Sequence, residues 1–233
     1  MGLWSVGDRW FFPALFPPRI TVDSWRTMIN GRLAAEAVTS GVVALATAAL
    51  SCLVALPVGR AMARLSGWRR RFAAAAAFLP VAAPPIALGL GLQYAFVKLG
   101  LTGTIVGVIV AHVVPATSFL AIYFAGVFTA LDPRIEDEAR SLGATPLQVW
   151  TRVTIPIMKR PIGDALALGF LVSWAQIPLT LVIGGGIVRT LPLAVYDYMR
   201  SGEARYAATG ALLLTVPPML ALIAARRERV APL

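Results

Sequence analysis

Five long apolar runs divide the chain, each close to the roughly 20 residues that an α-helix needs to cross a bilayer. They extend from about Leu33 to Leu56, Phe72 to Val97, Thr104 to Ala130, Ile162 to Ile183 and Tyr206 to Ala225. The pattern predicts an all-α, polytopic membrane helix bundle with five spans. Residues 1–32 form an N-terminal segment, residues 33–225 the membrane domain, and residues 226–233 a tail. One polar segment between runs is long and not of low complexity: Leu131 to Pro161.

Prolines and glycines cluster inside the runs. Pro80, Pro84 and Pro85 precede Gly89 and Gly91, and Pro115 lies in the third run. Pro178 and Gly184–Gly186 lie in or beside the fourth, and Pro217 and Pro218 are expected to interrupt the fifth. In lipid such breaks are tolerated where neighbouring protein or a water-filled cavity satisfies the freed backbone groups, as in transporters. Kinked packing is the other reading of any single proline.

Composition sharpens this picture. The chain is 58% hydrophobic and 14% charged, against about a quarter charged in a soluble domain. The net charge is +10, which in a soluble protein would suggest nucleic acid. Here the basic residues sit between apolar runs and read as topology signals and lipid-headgroup contacts, so no nucleic-acid partner is expected. If all five runs cross, three stretches share one side: Arg60 to Arg71, Arg134 to Arg160, and Arg226 to Arg229. They hold 13 of the 21 basic residues. Arg9, Arg19, Arg26, Arg32, Lys98, Arg189, Arg200 and Arg205 lie on the other. The arginine-rich side is cytoplasmic. The chain therefore reads as a multi-pass membrane protein with its C-terminus inside and its N-terminus outside. Cys52 is the sole cysteine, which reads as a buried structural thiol.

The N-terminal segment carries Trp4, Trp10, Phe11, Phe12, Phe16 and Trp25, with Pro13, Pro17 and Pro18 to break a helix. It reads as an extracytoplasmic segment at the headgroups, where tryptophan prefers to sit, or as a flexible tail. It lacks the basic start and apolar core of an export signal.

The segment from Leu131 to Pro161 carries the chemistry. Asp132 suits a helix N-cap with Pro133 at the first helical position. Glu136, Asp137 and Glu138 favour the positive end of that helix, Gly143 suits its C-terminus, and Ile135, Ala139 and Leu142 form an apolar stripe. Thr145 and Pro146 begin a second short helix, which Ile155-Pro156 is expected to close. Two rigid helices joined by a tight turn can transmit force.

This segment resembles the signature of the binding-protein-dependent ABC importer permeases: Glu-Ala-Ala, three residues, Gly, nine residues, Ile-any-Leu-Pro. Asp137 stands at the Glu position, Glu138 and Ala139 at the two Ala positions, and Gly143 at the Gly. Val153 stands at the Ile position, and Ile155 and Pro156 at the Leu-Pro. Asp137 is one methylene shorter than glutamate, and Glu138 in place of alanine is the one non-conservative departure. Phe78 to Gly89 resembles the second-span region of the subgroup that carries polyamines, iron, thiamine or sulfate-type oxyanions. Thr190-Leu191-Pro192 with Tyr196 to Gly202 resembles that subgroup's last extracytoplasmic loop. Met1 to Asn30 resembles the segment after its first span; members usually have six spans, so a further span before Met1 is expected.

The resemblance implies a type I ABC importer transmembrane domain that forms half of a solute pathway. It implies that the cytoplasmic coupling loop 131–161 docks into a groove on a separate ATPase through Asp137, Glu138, Ala139, Arg140, Gly143, Ile155 and Pro156. Implied partners are an ABC ATPase dimer, a second permease subunit or second copy, an extracytoplasmic solute-binding protein and membrane lipids. ATP and Mg belong to the ATPase; no cofactor, metal or catalytic residue is expected in this chain. It contains no Gly-Lys pair, so the phosphate-binding loop motif is absent.

Polar residues within the runs are candidates for the solute pathway because such groups tend to face the bundle interior. Trp174 and Gln176, beside Pro178, lead, followed by His112, which also reads as a packed, hydrogen-bonded imidazole. Glu36 and Lys98 are expected to reach headgroups, and Asp164 to pair with Lys159 or Arg160. Two alternatives stand beside the permease. A stand-alone secondary transporter would show internal repeats and more ionisable groups in its spans. An intramembrane protease would need Ser40 and His112 within hydrogen-bond reach.

Overall fold

The computed structural model describes the chain apart from residues 9, 11–14, 30, 133 and 231–233, and gives the backbone alone for residues 29, 32 and 222–230. Expectations placed on Arg9, Phe11, Phe12, Pro13, Pro133 and the side chains of Arg32, Arg226, Arg227 and Arg229 lie outside the described residues.

In chain order the elements are α1 (Gly2–Val6), β1 (Gly7–Asp8), β2 (Arg19–Ile20), α2 (Asp23–Ile29), α3 (Arg32–Arg64), α4 (Gly67–Ala82), α5 (Pro85–Lys98) and α6 (Ile105–Ala130). There follow α7 (Arg134–Ser141), α8 (Pro146–Val149), a π-helical turn (Trp150–Thr154), α9 (Ile155–Ile157), α10 (Lys159–Trp174), α11 (Pro178–Gly184), α12 (Leu191–Arg200) and α13 (Ala204–Val230). The fold is all-α apart from the two-residue antiparallel pair β1–β2, in which Gly7 faces Ile20.

Among the described residues, two helices are long and apolar enough to cross a membrane alone: Leu33–Arg64 and Ile105–Ala130. Two of the expected spans are instead broken pairs, α4 with α5 and α10 with α11, each long and apolar enough when taken together. The first break has a local cause. Proline disfavours the helical region for the residue before it, and Ala83, which precedes Pro84, is extended at φ −68° and ψ 136°. The expected interruption at Pro217 and Pro218 does not occur, because both lie inside α13. Ile155-Pro156 closes its helix to within a residue: α9 ends at Ile157, and Met158, at φ −81° and ψ 2°, separates it from α10. A π-helical turn comes before it, in which the Ile155 N–H reaches the Trp150 carbonyl five residues back. A π-turn takes up the irregularity that a proline imposes on the i→i−4 ladder.

The described residues form two compact units. One comprises Met1–Ala46, Pro85–His112 and Leu171–Leu233. Its core gathers Val43, Phe96, Val108, Ala111, Ile183 and Val188, and α5 lies against α11 at Gly89, where an added Cβ would stand 3.2 Å from Val182. In this unit the described parts of the N-terminal segment lie against the last helix. Arg205 pairs with Asp8 at 2.9 Å, the Ser24 hydroxyl donates to the Ser5 carbonyl at 2.6 Å, and Trp4 stacks on Trp10.

The other unit comprises Thr47–Pro84 and Val113–Phe170. Cys52, Ala55, Leu56 and Met62 of α3 meet Leu120, Ala121 and Phe124 of α6, with Met158 and Ala165. Gly59 permits this approach: a Cβ there would run into Phe124 and stand 2.9 Å from the Ala125 nitrogen. Small residues at such crossings let helix backbones come close, the usual source of attraction between helices in lipid.

Candidate functional site

The coupling-loop segment folds as its residues dictate. The Arg134 N–H donates to Asp132 Oδ1 at 2.9 Å, so Asp132 caps α7. At the other end Gly143 takes φ 84°, a left-handed conformation that side-chain-bearing residues avoid. The Gly143 N–H meets the Arg140 carbonyl at 2.9 Å, and the Ala144 N–H meets that of Ala139 at 3.1 Å. These are the paired bonds of a Schellman motif. Thr145 then caps α8 reciprocally: Thr145 Oγ1 accepts from the Gln148 N–H at 3.3 Å, and Gln148 Oε1 accepts from the Thr145 N–H at 2.8 Å. Both ends of the turn are fixed by hydrogen bonds.

Glu136 ties this bracket to the rest of its unit. Its side chain is buried, and Oε2 accepts from Arg60 at 2.5 Å, from Arg64, and from Arg140 at 3.2 Å. Oε1 accepts from the Thr154 hydroxyl at 2.8 Å. The Arg60 guanidinium also lies 4.9 Å over the Trp150 ring, a favourable cation–π placement. Burial pushes the Glu136 carboxyl up. The hydrogen bonds from Arg60 and Thr154 and the charges of Arg60 and Arg64 outweigh that and hold it below the usual carboxylate range. A cavity of about 290 Å³ opens beside the cluster, lined in part by Arg60, Arg64, Thr129 and Glu136.

Sequence reasoning treated Glu136 as a helix-dipole residue and Arg60 and Arg64 as topology signals. The signal that could have joined them is spacing. Arg60 and Arg64 are four apart and share a helix face, as do Glu136 and Arg140.

The opposite face of α7 looks outward. Arg134, Asp137, Glu138, Ser141 and Leu142 line an open depression of about 530 Å³. Leu142 is 88% exposed and Leu147, in α8, is 70% exposed. Asp137 holds Arg140 at 2.5 Å across one helical turn. Of the sequence-derived coupling residues, Asp137, Glu138, Ala139 and Arg140 thus share α7, Gly143 makes its terminal turn, and Ile155 and Pro156 lie in α9 beyond the π-turn.

The three pathway candidates lie in the other unit. His112 is buried, its Nδ1 2.8 Å from the Ser173 hydroxyl and its Nε2 3.0 Å from that of Thr180. Trp174 is buried and its indole N–H donates to the Leu214 carbonyl at 3.1 Å. Gln176 is half-buried, and its backbone carbonyl accepts from the Thr180 hydroxyl at 3.0 Å. Thr180 links His112 and Gln176, which sequence spacing could not show.

Two expectations for charged residues change. Glu36 does not reach outward: it is 4% exposed and accepts from Arg189 Nε at 2.9 Å, while Arg189 also pairs with Asp197 at 2.9 Å. One turn along α3, Ser40 Oγ accepts from the Leu191 N–H at 2.7 Å. Asp164 accepts from the Tyr123 hydroxyl at 3.3 Å rather than pairing with Lys159 or Arg160.

A capped two-helix bracket on an all-α chain with broken apolar helices is the architecture expected of a membrane transport subunit. Residues 55–227 match the family described as binding-protein-dependent transport system inner membrane component. The chain belongs to that family: it is an ABC importer permease, the non-catalytic, multi-pass inner-membrane subunit, whose ATPase and solute-binding protein are partner proteins. It is 30% identical over 194 residues to the molybdenum transport system permease protein ModB of Mycobacterium bovis, covering 77% of this chain and 74% of that one. It is 27% identical over 226 residues to the trehalose transport system permease protein SugB of Mycobacterium tuberculosis, covering 94% and 82%. Its fold matches a chain of the solved MetNI methionine ABC transporter at a TM-score of 0.64, with 21% identity over 84% of this chain and 95% of that one.

Membership displaces the stand-alone transporter. The protease reading fails on geometry as well, since Ser40 is engaged with Leu191 and both His112 ring nitrogens with Ser173 and Thr180.

Proposed function

We propose that this permease is driven through the 131–161 bracket, whose outward face seats in a groove of the ATPase on the cytoplasmic side. The observation that carries this reading is Leu142. A leucine 88% exposed, on a turn locked by hydrogen bonds at both ends, is held out of any core and ready to fill a partner's pocket. Asp137 and Glu138 add acidic groups to the same face. On this reading Asp137, Glu138, Ala139, Arg140 and Gly143 form the contact, and Ile155 and Pro156 carry the bracket back to the membrane.

The chain supplies half of a pathway completed by a second permease subunit or second copy. Its C-terminus is cytoplasmic by the arginine distribution, and Trp174, Gln176 and His112 border the solute path. The solute is a small oxyanion. The molybdenum relative supports this class, since molybdenum(VI) is a tetrahedral oxyanion in water, and so does the likeness to a subgroup that includes sulfate-type carriers.

Co-purification of the ATPase with L142E tests the docking. Loss of the ATPase from a permease that still inserts is the expected result, and full retention contradicts it. Uptake of molybdate against trehalose by the reconstituted transporter tests the solute class; trehalose uptake without molybdate uptake would refute the oxyanion.

A further inference from the structure

We propose that Glu136 is a positioning residue for coupling. Its carboxylate fastens α7 to the end of α3, so that a displacement imposed on α7 is delivered to a membrane-spanning helix. The inference rests on the reading of α7 as the surface the ATPase contacts.

Three observations carry it. First, among the described residues of α7, Glu136 is the one that is buried. Ile135 is 38% exposed and Leu142, just beyond the helix, 88%. Apart from half-buried Ala139 the helix offers little apolar anchor of its own, and its main polar hold on the unit is the Glu136 carboxylate. Second, that carboxylate reaches α3 through both Arg60 and Arg64. These arginines stand four residues apart on one face, with Arg64 the last residue of α3. Two charge-assisted hydrogen bonds to one helix face resist sliding and rotation better than one. Third, the same carboxylate takes the Thr154 hydroxyl at 2.8 Å, and Arg60 lies over Trp150. The π-turn that leads to α10 is thereby held to the same point. One anion joins the ends of two elements that enter the membrane to the short helix between them.

A structural staple alone would also use these contacts. The two roles separate in what nucleotide does to α3. In the complete transporter, with permease, ATPase and binding protein in lipid nanodiscs, a cysteine replaces Val58, which is 40% exposed on α3. Its rate of modification by a maleimide is measured with and without ATP plus vanadate. With Glu136 present, nucleotide changes the rate by about fivefold, the scale on which contact networks carry coupling. In E136Q the ATPase remains bound, because the outward face is unchanged, but the nucleotide-dependent change disappears. R64A guards against misfolding of E136Q, since Arg64 is 56% exposed and Arg60 remains; it shrinks the change about twofold. E136D, which keeps the charge, restores part of it.

A full nucleotide response in E136Q overturns the inference. So does loss of the ATPase from E136Q, or an α3 that shows no response with Glu136 in place. L142E separates this from the docking reading. If L142E keeps its ATPase, that reading fails; if L142E loses it while E136Q responds as the unaltered protein does, only the role of Glu136 fails.

Discussion

Trp174 meets Leu214 where α13 cannot satisfy itself. The indole N–H donates to the Leu214 carbonyl at 3.1 Å. In a regular helix that carbonyl would receive the N–H four residues on, and that residue is Pro218, which has none. A freed carbonyl within lipid needs a partner from a neighbouring helix, and Trp174 of α10 supplies it. The carbonyl that Pro218 leaves without its usual N–H is paired in this way.

A double substitution isolates that bond. W174F leaves the Leu214 carbonyl unpaired and destabilises the purified permease by about 1–2 kcal/mol. P218A returns a backbone N–H to the position that bonds Leu214. W174F/P218A therefore recovers most of the loss in thermal unfolding in detergent. If the double variant is no more stable than W174F, the indole does not stand in for the missing N–H.

Two glycines of the unit made of Thr47–Pro84 and Val113–Phe170 give a paired prediction about close packing. A Cβ at Gly59 would stand 2.9 Å from the Ala125 nitrogen and 3.0 Å from the Ala121 carbonyl oxygen, backbone atoms that cannot move aside. G59A should lower stability by about 1–3 kcal/mol. Gly126, in α6, has open space where its Cβ would be. G126A should be neutral or stabilising by up to about 1 kcal/mol, because alanine restricts the unfolded chain. Thermal midpoints of the two variants measured side by side check the contrast.

The legible and illegible parts of the molecule divide by the range of the interactions. Asp132, Gly143, Thr145 and Pro146 announce their caps because each acts within a few residues. The bracket could therefore be drawn from sequence almost bond by bond, apart from the π-turn before Ile155-Pro156, which local propensity does not encode. The apolar runs gave the spans, but not that α4 and α5 part at Pro84 while α13 passes through Pro217 and Pro218. The difference at Pro218 is a tryptophan 44 residues earlier in the chain. Glu36 with Arg189 and Glu136 with Arg60 were missed for the same reason. Charged residues near span ends look alike in sequence whether they face headgroups or a distant partner.

The buried carboxylate of Glu136 has a definite pH signature. Its folded pKa lies below the ordinary glutamate value of about 4.3. A group with a depressed folded pKa contributes stability that is fully present above its unfolded pKa and is lost as pH falls through the folded one. The difference in thermal midpoint between the unaltered protein and E136Q should therefore be flat between about pH 6 and pH 8 and shrink below about pH 4. A difference that changes across the neutral range would mean that another titrating group governs the cluster.

Gly143 allows backbone geometry and surface chemistry to be separated at one residue. Its φ of 84° demands the left-handed region, and nothing lies within 4 Å of where its Cβ would be. Any substitution therefore meets strain but no clash. Asparagine tolerates that conformation better than other residues, so G143N should insert, bind the ATPase and retain most uptake. G143A carries about 1–2 kcal/mol of strain, which loosens the turn and lowers uptake without removing the ATPase. G143E adds a charge beside exposed Leu142, where an apolar pocket of the partner would have to desolvate it. It should reach the membrane at normal levels yet lose uptake altogether. Quantitative blots of the membrane fraction alongside uptake by all three variants check the order. Uptake by G143E equal to that by G143N would mean that the turn does not face the ATPase.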